Sequence, residues 1–324
     1  MTQLTRTLGK TLAIAVTTAA CLGAAAACGD NQTVVPTIAA YDGGVTPLSC
    51  VPNLDGKIEA REATPAIGIP ATYLVSPGER QVNVAGSVDR DGRLQWDFGT
   101  SYADDRAAKI AASAIAGKWY ASSFPPNAFV TPFDAGGSTE AVYIHDDTSL
   151  RILGFASTRP DPPEGKTLLV YSTPIDVLRY PLTPGLAWTS KSEVRNGTLR
   201  GLPYAARDSY DIKVDGAGRV TLPDLVVTQA LRVRTALTIE PSAGQTTTQR
   251  QVIFLFECLG EVARATSKTG ETNDDFTTAS ELRRLGLELR DRRGKGANLQ
   301  STRRRSPGSL RRAIRARPRH ASAR

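Results

Sequence analysis

One stretch limits the possible folds more than any other: LRVRTALTI, Leu231 to Ile239. Leu231, Val233, Leu237 and Ile239 fall on one side of an extended chain, with Thr235 among them. Arg232, Arg234 and Thr238 fall on the other. A period of two predicts a strand with one face buried and one face in water. The turn EPSAGQ follows, then TTQRQVIFLFECLGEVARAT, which reads as a second long strand. The two are expected to pair as a long antiparallel hairpin. The rest of the body repeats this grammar in shorter words. TYLV, QVNVAGSV, RLQWDF, EAVYI, LRILGFAS and TLLVYS are apolar runs bounded by Pro, Gly and Asp. VDRDGRL predicts a hairpin turning at Asp89 to Gly92, and YDIKVDGAGRVTL another turning at Asp215 to Gly218. Helical signals are sparse. Thr278-x-x-Glu281 before LRRLGL is a capping-box pattern that predicts a short final helix. SYADDRAAKIAASAIAG, Ser101 to Gly117, leaves a short helix and a non-helical course equally open. The expected fold class is mainly β: an antiparallel β-sandwich or curved sheets, with at most one or two short helices.

The ends of the chain differ from its body. Arg6 and Lys10 precede an uncharged run of small and apolar residues from 11 to 27, too short and alanine-rich for a bilayer span. This is the composition of a cleaved secretory signal. Ala25-Ala26-Ala27-Cys28 at its end resembles the lipobox of bacterial lipoproteins, in which small residues precede the cysteine that becomes the lipidated N-terminus. Ala25 departs from the pattern, where a larger aliphatic is usual. Cys21, after Thr18-Ala19-Ala20, is a second candidate, and an ordinary cleaved signal without lipid is a third reading. Each of them exports the protein. The resemblance implies lipidation at Cys28 and a multi-chain acyl anchor, each buried methylene contributing about 0.8 kcal/mol. Gly29 is not the aspartate that retains lipoproteins in the inner membrane of some bacteria, so the resemblance implies outer-membrane delivery.

The expected organisation is a signal peptide over 1–27, a Thr/Pro/Gly/Asn-rich tether over 28–56, and a β-rich body over 57–286. The body admits two packed subdomains split near 175, and a tail over 287–324 follows. The net charge of +8 is misleading as a guide to partners. Twelve arginines and one lysine after residue 286 face only Glu288 and Asp291, a surplus of +11, so the remainder carries −3. The tail has too few large apolar residues to offset its ordering entropy and is predicted to be disordered. It reads as an electrostatic arm for an anionic surface, as a nucleic-acid arm that export argues against, or as an out-of-frame translation of GC-rich DNA.

With Cys21 and Cys28 in the export segment, Cys50 and Cys258 remain. In an oxidising compartment they are expected to form a disulfide closing a loop of about 200 residues. No Cys/His spacing points to zinc or a redox dithiol, and no cofactor is expected.

Candidate chemistry is thin. His145, ahead of Asp146 and Asp147, has no second body histidine to complete a base or metal site, and reads as a strand-to-turn junction. DRDG at Asp89 opens like a calcium loop but lacks the Glu at the twelfth position. No GxSxG, HExxH or Walker loop is present. Trp96, Trp119, Trp188 and Tyr120 are more often packing residues than an aromatic binding surface. Glu257, between Phe256 and Cys258, is expected on the wet face or paired with an arginine across the sheet. Asn196-Gly197-Thr198 reads as a turn.

LRYPLTPGLAWTS, Leu178 to Ser190, with the long hairpin that follows, resembles uncharacterised β-rich exported lipoproteins of Gram-negative, myxobacterial-type bacteria. The resemblance implies a location and a β fold and carries no activity. The expectation is a membrane-anchored, non-enzymatic envelope lipoprotein with a binding or structural role toward a protein, glycan or lipid partner, and no nucleic acid. The alternatives are a carrier or sensor of apolar ligands built on a curved sheet, and an envelope hydrolase with paired carboxylates.

Overall fold

The computed structural model describes residues 50–286, except Ala135. The signal segment, Cys28, the first part of the tether and the arginine-rich tail lie outside the described residues. The body is β throughout. Its strands are β1 (Ala71–Gln81), β2 (Ser87–Val88), β3 (Leu94–Asp97), β4 (Arg106–Ile110), β5 (Ser113–Ala114), β6 (Phe129–Pro132), β7 (Thr139–His145) and β8 (Ser149–Ser157). They continue with β9 (Leu168–Arg179), β10 (Ala187–Leu199), β11 (Leu202–Thr221), β12 (Val226–Pro241), β13 (Thr247–Phe256), β14 (Gly260–Ser267) and β15 (Thr278–Leu285). Two three-residue 3-10 turns, Ala60–Glu62 and Ala121–Ser123, interrupt the pattern.

All fifteen strands belong to one sheet. From β5 to β15 each strand pairs with the next; β15 then pairs with β1, and β1 with β4. The two edges are therefore β4 and β5, and only Ala111 and Ala112 separate them in the chain. A sheet whose edges are two residues apart must curl back on itself. No ladder closes the seam. Instead Ile67 forms a parallel bridge with Ala112, and the Gly68 N–H donates to the Ala112 carbonyl at 2.8 Å. β9 crosses residue 175 as one continuous strand.

The curl gives the sheet an inner and an outer face; the outer face is covered in two places and exposed along β9 to β11. Leu231 and Val233 point inward and pack with Ile175, Ile212, Val214 and Leu255. On the outer face, Trp96 and Phe98 lie on Phe254, Val220 and Val262. A third cluster joins Tyr120, Phe124 and Ile115 to Val130 and Val142 on the outside of β6 and β7. Two flaps of chain thus cover the outside, around β2–β3 and around residues 115–128.

The predicted hairpins at Asp89–Gly92 and at EPSAGQ are present: β2 pairs with β3, and β12 with β13 over Leu231↔Leu255 to Ile239↔Thr247. Several local expectations are corrected. Arg232 and Arg234 are not on a wet face; each is 6 % exposed. The chain before β2 lies over Arg232, which donates to the Val84 and Ala85 carbonyls (2.8 Å each) and to Asp215 (2.7 Å), while Arg234 is held by Asp215 (2.7 Å) and by Asp275 (2.5 Å) in the loop between β14 and β15. The run from Asp215 to Gly218 is not a turn. It is a pair of bulges inside β11, between Val214/Gly216 and Gly218/Val220. Bulges absorb the turn-forming residues without reversing the chain. The run from Thr247 to Thr266 is two strands, broken by a turn at Glu257–Leu259 where Cys258 takes φ 64°. Thr278–Leu285 is a strand, because β14 and β1 flank it on both sides. Within Ser101–Gly117, β4 pairs with β1 and no helix forms. Asn196-Gly197-Thr198 sits in β10 at a bulge between Val194 and Gly197.

Candidate ligand cavity

Along β12 the inner face changes character. Leu231 and Val233 are packed, whereas Thr235 and Leu237 border open space. That space is a cavity of about 380 Å³ inside the curl. Strands from both ends of the sheet enclose it: β1 and β4 from one edge, β6 to β9 from the other, and β11 to β15 between. The volume falls in the range of small-molecule sites, about 300–1,000 Å³.

Its wall is mainly apolar and aromatic. Phe129 stacks on Tyr143 with centroids 5.6 Å apart, and Phe133 meets Phe155 edge-on at 4.8 Å. Ile253, Leu255, Ile152 and Ile110 complete much of the surface. Ile69, Leu259 and Phe133 line the cavity and are also 68 %, 50 % and 40 % exposed, so the rim is apolar and open to solvent.

One part of the wall is polar. Arg264 donates from Nε to Glu261 Oε2 at 3.0 Å. Arg283, 3 % exposed, donates to Glu281 at 3.1 Å and lies 4.0 Å from Glu261. The Tyr73 hydroxyl donates to the Glu261 carbonyl at 2.8 Å. Burial, the largest single influence, works against the Arg264 charge, but Glu261, Tyr143 and Glu281 together offset it and raise the guanidinium above its ordinary range. Burial raises the phenols of Tyr143 and Tyr210, which stay neutral. Behind Tyr210, the Tyr171 hydroxyl donates to Asp208 and lies 3.3 Å from the Tyr210 hydroxyl. Burial raises the Asp208 carboxyl, and the Tyr171 bond only partly counters it.

The N-terminal segment is fastened beside this cavity. Cys50 and Cys258 form a disulfide with Cα atoms 5.5 Å apart, and Cys258 itself lines the cavity. Glu257, 3 % exposed, does not face water and has no arginine partner among the described residues. Its Oε2 accepts from the backbone N–H groups of Asn53 (2.7 Å) and Leu54 (2.8 Å). Residues 50–56, read from sequence as the end of the tether, are thus tied to the body. The Cys258 N–H donates to the Glu62 carbonyl at 2.9 Å, drawing in the segment that reaches the rim.

The other sequence candidates take structural places. His145 ends β7, is bonded to the Ala60 backbone, and packs 5.4 Å from Tyr180. Burial lowers its pKa. Asp146 caps the following turn, accepting from Thr148 and Ser149, and the Thr148 hydroxyl first among these bonds holds its carboxyl down to about 2. Asp89 Oδ1 accepts from the Asp91 and Arg93 N–H groups, as a turn residue. Trp96, Trp119 and Trp188 donate to the carbonyls of Val84, Ser157 and Asp176, each in a different cluster. They form no common surface, and Tyr120 joins only Trp119. Among the described residues, no three His, Cys, Asp or Glu side chains are placed to hold a metal ion. Glu261, Arg264 and Arg283 escaped the sequence reading. Their signal was charge set into apolar strands, in GEVARAT and ELRRL.

No protein-family model, curated protein or solved structure matches the chain.

Proposed function

We propose that this chain is a non-enzymatic envelope protein, exported and held to a membrane by lipid on Cys28, that binds an apolar or amphipathic small molecule inside its curled sheet. The observation that carries the binding reading is the cavity of about 380 Å³, walled by aromatic and aliphatic side chains and opening past Ile69, Phe133 and Leu259. An empty apolar space on the inside of a sheet forgoes packing that a filled core would keep. The inner face of β12 supports the same reading: it is filled at Leu231 and Val233 and left open at Leu237. The non-enzymatic reading is supported by the pairing of Glu261 and Glu281 with arginines, which leaves neither poised as a free acid or base.

Native mass spectrometry of the protein purified from its own membrane tests the proposal. The expected result is a bound small molecule that is recovered in organic extract and lost when Leu237→Trp fills the cavity. The intact mass should begin at a diacylglyceryl-modified Cys28. A protein that carries nothing and takes up no alkyl probe would overturn the binding reading. An unlipidated N-terminus would overturn the anchor alone.

A further inference from the structure

Resting on that reading of the cavity, we infer that its ligand is an uncharged amphiphile: an apolar body whose hydroxyl or amide head both donates and accepts hydrogen bonds. The charged residues that line the cavity are Glu62, Glu261, Arg264 and Arg283, two of each sign. Each guanidinium already has a carboxylate partner. Arg264 is bound to Glu261, and Arg283 is held by Glu281 and the Phe133 carbonyl while lying 4.0 Å from Glu261. A fatty-acid carboxylate would have to displace Glu261 or Glu281 and leave that carboxylate buried without a partner, which is costly. A cationic head meets the converse problem: Glu261 already faces Arg264 and Arg283, and Glu62 accepts from the Asn53 amide (3.2 Å) and the Glu59 N–H (2.8 Å).

What the cluster leaves over is neutral and two-sided. Glu261 Oε1 and Arg283 Nε are enclosed within the cluster and out of a ligand's reach. The polar groups left to a ligand are neutral: the amide side chains of Gln249 and Gln251 and the hydroxyl of Thr131, which line the wall and between them both donate and accept. Such a wall suits a head that supplies one donor and one acceptor, and it charges a desolvation penalty to any head that carries a net charge.

Matched alkyl probes on the full-length protein test this by calorimetry at pH 7.5: dodecanamide, dodecanoate and dodecylammonium. The expected result is dodecanamide tighter than either ion by at least about tenfold, the equivalent of about 1.4 kcal/mol. Glu281→Gln should narrow the gap to dodecanoate by freeing Arg283. The wild-type series decides the matter even if that variant misfolds. Dodecanoate or dodecylammonium binding as tightly as the amide would overturn the head-group inference while leaving the cavity reading intact. Uptake of none of the three would remove both.

Discussion

Arg284 has no exposed surface, yet it is an arginine in a strand. It bonds to Ser76 Oγ (3.0 Å), Asp105 Oδ1 (2.7 Å) and the Thr100 carbonyl, and so pins the chain before β4 to the outer face. Arg284→Met strands the Asp105 charge. The expected loss is about 3–5 kcal/mol in urea unfolding, partly recovered in the double variant with Asp105→Asn. Asp208 makes the opposite case. Its carboxyl titrates higher in the fold than in the unfolded chain. The fold therefore loses stability as pH rises from about 4, where the unfolded carboxyl ionises, through the raised folded value. Asp208→Asn keeps an acceptor for Tyr171 and removes the charge. Calorimetry should give it a higher Tm at pH 7, on the order of a few degrees, with the difference vanishing below pH 4. Neither role was legible in the sequence. Arg232, Arg234 and Arg284 read there as solvent-facing or helical because their partners lie in other segments: Val84 and Ala85, Asp274 and Asp275, Thr100 and Asp105. The Cys50–Cys258 pair was legible, since only two cysteines remained outside the segment read as an export signal.

At the scale of elements, the apolar runs showed where strands lie but not where they end. Period two marks a strand face; it does not separate a turn from a bulge. Asp215-Gly216-Ala217-Gly218 looks like a hairpin tip, yet Val214 and Val220 on either side both pair with β12. The glycines serve another contact. β10 runs beside β11 only as far as Lys213, and β3 takes its place in parallel from Gly218 to Thr221. A Cβ at Gly218 would lie 2.1 Å from the Leu94 carbonyl oxygen. Gly218→Val should therefore unseat β3 and expose Trp96. Red-shifted tryptophan emission and trypsin cleavage at Arg90 or Arg93 would report it; an unchanged digest would show that the flap does not depend on that approach. The helix read at Thr278 failed for a related reason. A capping pattern is local, and the two strands that recruit β15 are not.

The described body is one curled sheet held together by partners distant in sequence. Cys50 and Cys258 are 208 residues apart, and joining them constrains the unfolded chain. The Cys50→Ser, Cys258→Ser variant is expected to lose on the order of 4–5 kcal/mol, read from denaturant midpoints under oxidising conditions. The cavity was legible only in outline, as a curved sheet with an apolar face. Its polar pole needed the register of β14 against β15, which sets Arg264 opposite Arg283. That same closure has a consequence in time. β1 is the first long strand to leave the ribosome, and its β15 partner is made roughly 200 residues later. Loop closure over that distance is slow to pay back in contacts. Until residue 285 arrives, β1 has no β15 ladder to join, so a nascent chain stays open between β1 and β15, beside its cavity. Truncation before Thr278 should leave a chain that is collapsed but still readily proteolysed, while the full chain acquires protection as its last strand docks. This sheet is finished by its last strand, and its first long strand must wait unpaired on that side until then.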